Sequence, residues 1–92
     1  MNIEHQEIDS KGSFFVPVDG LKKAEMTYTW VGDDRIIIDH TEVHDDLRGQ
    51  GVGLQMVEAA VSFARVKQIS IVPLCPFARS VFKKHSELND VL

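Results

Sequence analysis

The sequence predicts a mixed α+β fold in which an antiparallel meander leads into a β-α-β-α unit. Three observations predict it. Up to Val43 the chain alternates apolar and polar residues between turn-forming clusters. At Gly53 the apolar period changes from strand-like to helical. A short apolar run, "ISIVPL", then separates that helical stretch from a second one.

The elements follow in order. "NIEHQEID" alternates loosely, with Ile3, His5 and Glu7 on one side, and reads as a short edge strand. "DSKG" is a turn. "SFFVPV" is rich in strand formers, and Pro17, which has no N–H for a ladder, marks an edge position or a bulge. Asp19-Gly20 is a hairpin signal between apolar runs. "LKKAEMTYTWVG" puts Ala24, Met26, Tyr28 and Trp30 on one face and Lys23, Glu25, Thr27 and Thr29 on the other, a half-buried antiparallel strand. Gly32 to Asp34 is the next tight turn, and "RIIIDHTEV" the strand after it. Plain alternation sets His40 on the face of Ile36, Ile38 and Glu42, unless a bulge intervenes.

From Gly53 to about Lys67, Val57, Ala60, Val61 and Ala64 share a helical stripe, with Met56 and Phe63 beside it. "ISIVPL" is a short buried strand ending near Pro73. Pro76 suits the first turn of a second helix, "PFARSVFKKH", in which Phe77, Val81 and His85 repeat at i, i+4 and i+8 with Ala78 and Phe82 alongside. The β-α-β portion is expected to be a right-handed crossover between parallel strands.

With 92 residues and 43% hydrophobic side chains, the chain is expected to form one domain over residues 1–92 with a real core. A formal charge of −4 argues against a nucleic-acid or anionic-membrane binder, which would show a basic face. Cys75 is the one cysteine, so no intrachain disulfide is possible and a reducing compartment is the default. No apolar run approaches the ~20 residues needed to span a bilayer. The N-terminus lacks a basic segment followed by an apolar one. The expected setting is cytoplasmic. No histidine, cysteine and carboxylate set has metal-ligand spacing, so no metal is expected.

The stretch "HTEVHDDLRGQGVGLQ" carries the functional signal. Gly49, Gly51 and Gly53 lie between an apolar strand and a helix start. The first helical N–H groups have no intrahelical partner, and the helix dipole adds partial positive charge there. Glycines let an anion approach the backbone, and Arg48 adds a cation. The bland reading is a tight turn with close strand–helix packing and a solvated Arg48. A Walker A loop requires Lys-Ser/Thr after its last glycine, whereas Gly53 is followed by Leu54-Gln55. A dinucleotide loop requires G-x-G-x-x-G after a first strand, whereas "GQGVGL" follows an antiparallel meander.

The spacing Arg48-x-x-Gly51-x-Gly53 closely resembles the Gln/Arg-x-x-Gly-x-Gly/Ala signature of GNAT-superfamily N-acetyltransferases. "HTEV" before the loop and "CPFARSVF" after the next strand extend the resemblance to the small, single-domain GNAT-like proteins of unknown substrate. The resemblance covers essentially the whole chain. It implies a GNAT-like fold with splayed parallel strands. It implies that acetyl-coenzyme A is the donor, its pyrophosphate held by Arg48, Gly49, Gln50, Gly51, Val52, Gly53 and Leu54. Its pantetheine arm would pair with backbone around Val43, and a backbone N–H near Val43 would polarise the thioester carbonyl. In one departure, the helices that larger relatives carry between their first two strands are reduced to "DSKG", which leaves the acceptor side open.

His40 and Cys75 are the candidate catalytic residues. If the two strands are adjacent and parallel, both reach the cleft, where a neutral histidine takes a proton from an amine or from Cys75. Cys75 sits at a helix start, which favours thiolate. The alternatives are a structural strand histidine and an inert buried thiol. Glu42 ranks below His40 as a base. Arg79, Lys83 and Lys84 form a basic patch on the second helix, either a solvated face or a contact for coenzyme A phosphates, with Arg79 the candidate ligand. The expected activity is transfer of an acetyl group from acetyl-CoA to an unidentified amine, by direct attack or through a Cys75 acetyl-enzyme. The alternative is a non-catalytic acyl-CoA-binding or protein-interaction module on the same fold.

Overall fold

A computed structural model describes residues 2–92. Five strands form one sheet in sequence order: β1 (Glu4–Ile8), β2 (Lys11–Val18), β3 (Leu21–Val31), β4 (Arg35–Val43) and β5 (Ser70–Pro73). The first four are antiparallel neighbours, and β4 pairs with β5 in parallel. Helix α1 (Val52–Lys67) joins β4 to β5, and α2 (Pro76–Lys84) follows β5. The connection from β1 to β2 is only Asp9-Ser10, so no helix intervenes there. The Asp19-Gly20 turn has φ of 51° and 80°, the paired positive values of a tight hairpin.

Two irregularities shape the sheet. Between β2 and β3 the register slips at Val16/Pro17, because Pro17 cannot donate to the ladder. Between β3 and β4 it slips again: Tyr28 faces Ile38, but Thr27 faces His40, so Asp39 is an extra, unpaired residue. The Thr27 and Thr29 hydroxyls both donate to the Asp39 carboxylate, the second at 3.2 Å. This bulge corrects the alternation expected for His40. Ile36 and Ile38 face the helices, but beyond Asp39 it is Thr41 and Val43 that lie opposite the buried Met26 and Ala24. His40 and Glu42 are turned to the other face and are exposed.

Both helices pack on one face of the sheet. Phe14, Val16, Ala24, Met26, Tyr28, Ile36 and Ile38 meet Met56, Val57, Ala60, Val61 and Ala64 of α1 in one core. The second helix is rotated from its expected orientation. Its buried residues are Ala78, Val81 and Phe82, while Phe77 is 40% exposed and His85 lies just past the helix end. The reason is a 3₁₀ segment, Ser86–Val91, that the sequence reading missed. It contacts both helices and buries Leu88 and Val91. Arg65 of α1 fastens it, with Nε and Nη2 on the Asp90 carboxylate at 3.0 and 2.7 Å and Nη2 on the Glu87 carbonyl at 3.0 Å. The opposite face of the sheet carries Glu25, Thr27, Thr29, Ile37, His40 and Glu42, and no helix among the described residues lies over it.

Candidate active site

The site begins where β4 leaves β5. Parallel pairing ends at Ile38 opposite Pro73. The Ile38 carbonyl accepts two successive N–H groups, from Leu74 and Cys75, each at 3.1 Å. The next residue on β4 is the bulged Asp39. A bulge bends its strand and increases the local twist, so the extra residue sits at the point of divergence. At the far end of β4 the His44 N–H donates to the Lys23 carbonyl at 2.7 Å. Strand alternation then turns the N–H and C=O groups of Thr41 and Val43 away from β3, toward the gap left by β5.

After β4 the chain makes a 3₁₀ turn, Asp45–Leu47, capped by His44, whose Nδ1 accepts the Asp46 N–H at 3.2 Å. Arg48 follows, with Nε 3.0 Å from the Asp45 carboxylate and a side chain 72% exposed. Gly49 and Gly51 have φ of 79° and 71°, and open space surrounds the position of a Cβ on either. These two glycines serve the backbone conformation. Gly53 lies in the first turn of α1 and serves proximity: the Phe77 ring occupies the volume that a Cβ there would need.

Gly51 is the N-cap of α1. No side chain among the described residues caps the helix, and its first turn holds no acidic residue. The first intrahelical bond is Gln55 N–H to the Gly51 carbonyl at 3.1 Å, so the amides of Val52, Gly53 and Leu54 have no acceptor inside the helix. These amides open into a groove of about 440 Å³. One wall is Val43, Leu47 and the loop from Arg48 to Leu54; the other is Phe77, Ser80, Val81 and Lys84 of α2. A backbone cradle without a capping side chain, flanked by two cations and walled by apolar side chains, fits an anion joined to a flexible apolar arm.

Seven of the expected cofactor residues meet in this groove: Val43, Arg48, Gly49, Gly51, Val52, Gly53 and Leu54. Gln50 turns its side chain back to the Asp46 carbonyl, at 3.1 Å. Arg79 lies elsewhere. Its Nη2 donates to the Leu74 carbonyl at 3.2 Å, and it lines a separate hollow of about 540 Å³ with Pro73, Pro76 and Lys83. The rotation of α2 that leaves Phe77 over Gly53 brings Lys84, not Arg79, to the loop. That choice depends on helix packing and had no sequence signal.

His40 and Cys75 do not meet. His40 is on the uncovered face, with Nε2 3.2 Å from the Glu42 carboxylate and a side chain 64% exposed. Cys75 is 5% exposed at the start of α2 and donates its thiol proton to the Thr41 hydroxyl at 3.2 Å. The two residues flank the divergence from opposite faces of the sheet. Thr41, which the sequence does not single out, is the residue that Cys75 contacts, brought to that face by the bulge at Asp39.

A sequence model of the GCN5-related N-acetyltransferases matches residues 13–91. The chain belongs to that family. As a GNAT enzyme it is an acetyltransferase. A GCN5-like protein of Staphylococcus aureus, solved by NMR, is 36% identical over 98% of this chain and 87% of its own, with a TM-score of 0.74. Protein NATD1 of Xenopus tropicalis is 26% identical over 86 residues, covering 92% of this chain and 77% of that protein. The aminoglycoside N-acetyltransferase AAC(6′)-Iy, in complex with CoA, shares the fold: 18% identity over 89% of this chain and 69% of that chain, TM-score 0.59. The two solved structures share the fold of this GNAT chain. No helix among its described residues is long and apolar enough to cross a membrane.

Proposed function

We propose that the chain moves the acetyl group of acetyl-coenzyme A to an amine that reaches the uncovered face of the sheet. The observation that carries the proposal is the uncapped start of α1, opening into the groove between Arg48 and Lys84. There the amides from Gly49 to Leu54 take the donor's pyrophosphate, and the two side chains screen its charge. The apolar walls at Val43, Val52, Phe77 and Val81 cover the pantetheine arm and exclude water from it. The backbone N–H groups of Thr41 and Val43 hold the arm along β4, and one of them polarises the thioester carbonyl.

The bound donor would supply an electrophilic thioester carbon and, as the leaving group when the C–S bond gives way to C–N, the coenzyme A thiolate. The chain supplies position and proton transfer. His40, oriented by Glu42, faces the side from which an amine arrives and takes the proton of the attacking nitrogen. Cys75 is buried, its proton is engaged by Thr41, and His40 is on the opposite face. That geometry favours direct transfer over a Cys75 acetyl-enzyme. The short Asp9-Ser10 connection leaves room for a bulky acceptor, a small molecule or a protein amine.

Calorimetry with acetyl-CoA tests the donor site. Wild type binds, and Gly51→Glu, which puts a carboxylate over the free amides, abolishes binding in a protein that still folds, its unfolding temperature lowered by the strain of a side chain at this positive φ. Equal affinity in the two proteins rejects the loop as the pyrophosphate seat. Acetyl transfer measured over amine and peptide panels for wild type and His40→Ala tests the base. Tight donor binding with no turnover on any panel member makes the chain an acyl-CoA-binding module.

A further inference from the structure

We propose that Thr41 and Cys75 form the floor of the acyl end of the donor cleft and restrict the donor to short acyl groups. This inference rests on the reading of the groove as the coenzyme A site, and goes beyond it by naming the residues that set acyl length.

The divergence of β4 from β5 opens toward the groove and narrows to its apex at Ile38, whose carbonyl holds the amides of Leu74 and Cys75. Thr41 is two residues back from Val43 along β4, about 7 Å nearer that apex. Its side chain turns to the helix face, because it lies opposite the buried Met26. Cys75 leaves the end of β5 on the same face, 5% exposed. The two side chains meet at 3.2 Å, one from each diverging strand. They close the gap on the helix face, while no helix among the described residues lies over the sheet's other face. Ile38 at the apex and Ala78 on α2, three residues along the chain from Thr41 and Cys75, are fully buried.

A thioester entering along β4, with its carbonyl on a strand amide, rests its acyl carbons on this pair. A methyl group fits against the floor. Each further methylene needs volume that the threonine methyl and the thiol occupy, and a close-packed surround does not yield that volume. The uncovered face stays free for the amine, so donor length is read on one side and acceptor approach occurs on the other. In this arrangement Cys75 acts by its volume and its bond to Thr41 and forms no covalent intermediate.

The test compares calorimetric affinities for coenzyme A and for acetyl-, propionyl- and butyryl-CoA, which needs no acceptor. Wild type is expected to bind butyryl-CoA at least about ten-fold more weakly than acetyl-CoA, the usual discrimination of a closed apolar pocket against extra methylenes. Thr41→Ala and Cys75→Ala each open the floor and bring the ratio of the two affinities toward one. Cys75→Val narrows it and lowers the affinity for acetyl-CoA relative to free coenzyme A. Thermal unfolding identifies a variant that fails to fold, and Thr41→Ser, which removes only the methyl, then takes its place. Equal binding of butyryl- and acetyl-CoA by wild type overturns the inference, as does an unchanged ratio in folded enlarging variants. If wild type binds none of the four, coenzyme A included, the groove reading itself fails and this inference falls with it. That result differs from tight coenzyme A binding without acyl discrimination, which rejects the floor alone.

Discussion

The ring of Phe77 fills the space beside Gly53, so the start of α1 and the start of α2 touch through a residue that has no side chain. Gly53 and Phe77 both line the groove, one on each wall. Gly53→Ala is therefore expected to push the ring into the groove or out of it. The new alanine gains up to about 1 kcal/mol of helix preference, and the 40% exposed ring moves at modest cost. The unfolding temperature should stay within about 4–8 °C of wild type. Acetyl-CoA affinity should fall several-fold. In a Phe77→Ala background the same change should do little, which a double-mutant cycle reads as coupling of about 0.5–3 kcal/mol. Additive effects in that cycle would mean that Gly53 matters for some other reason.

Lys84 and Arg79 make a second pair of opposed expectations. Lys84 lines the groove, whereas Arg79 bonds the Leu74 carbonyl beside a different hollow. Lys84→Ala should weaken coenzyme A binding by about 0.5–1.5 kcal/mol, the range of a partly exposed charge-assisted contact. The loss should shrink as salt rises and should be smaller for dephospho-coenzyme A if the lysine meets the 3′-phosphate. Arg79→Ala should leave both affinities unchanged. Titration of the two variants with both ligands separates these outcomes, and a larger loss for Arg79→Ala would reverse the assignment.

The parts of this molecule that could be read from its sequence are those with local causes. The Asp19-Gly20 turn, the irregularity at Pro17, the loop glycines and the span of α1 each follow from neighbouring residues. The faces of His40, Thr41, Phe77 and Arg79 have no such cause. His40 turns outward because Asp39 is inserted, and Asp39 is held by Thr27 and Thr29 on another strand. The insertion carries no glycine or proline to announce it. The rotation of α2 depends on Leu88 and Val91, whose own segment is fastened by Arg65 of α1. A helix stripe can be read from spacing, but the angle at which it docks is decided by what else needs burying.

Acid should destabilise the fold through the cluster around Tyr28. This buried hydroxyl donates to Glu7 at 2.6 Å and lies 2.5 Å from Nε2 of His5, and the Trp30 indole N–H donates to the same Glu7 oxygen at 2.7 Å. The bonds from Tyr28 and Trp30 hold the Glu7 carboxyl below the usual carboxylate range. Burial, opposed by Glu7, pushes the His5 imidazole below its ordinary value of 6.5. Burial and the bond to Glu7 push the Tyr28 phenol up. Both His5 and Glu7 thus bind fewer protons folded than unfolded, so stability rises with pH. Their contribution is complete above the ordinary histidine value. It is lost first as His5 titrates and then as Glu7 titrates below the carboxylate value. His5→Gln should flatten the upper part of the unfolding-temperature profile, and Glu7→Gln the lower part. A wild-type slope retained in Glu7→Gln would exclude it as the titrating group. Tyr28→Phe should cost about 1 kcal/mol and weaken both phases.

Asp39 offers the test of why the donor gap exists. Removing this residue leaves Ile38 facing the helices, His40 facing away, and Thr41 and Val43 facing inward, because the bulge adds one residue without changing which later side chains are buried. Deletion of Asp39 should therefore preserve the core and the β3–β4 ladder. It removes the extra residue that bends β4, at the position where pairing with Pro73 stops. A straighter β4 can continue alongside the chain beyond Pro73 and narrow the gap into which Thr41 and Val43 turn their amides. The expected result is a folded protein, destabilised by at least the loss of the two threonine hydrogen bonds to Asp39, that has lost acetyl-CoA affinity at least ten-fold. Asp39→Ala keeps the extra residue and loses only the two threonine hydrogen bonds on an exposed face, so it should cost about 0.5–1.5 kcal/mol of stability and retain most of the affinity. If the deletion binds acetyl-CoA as wild type does, the divergence arises from α2 and the Pro73–Pro76 segment, and Asp39 only accommodates it.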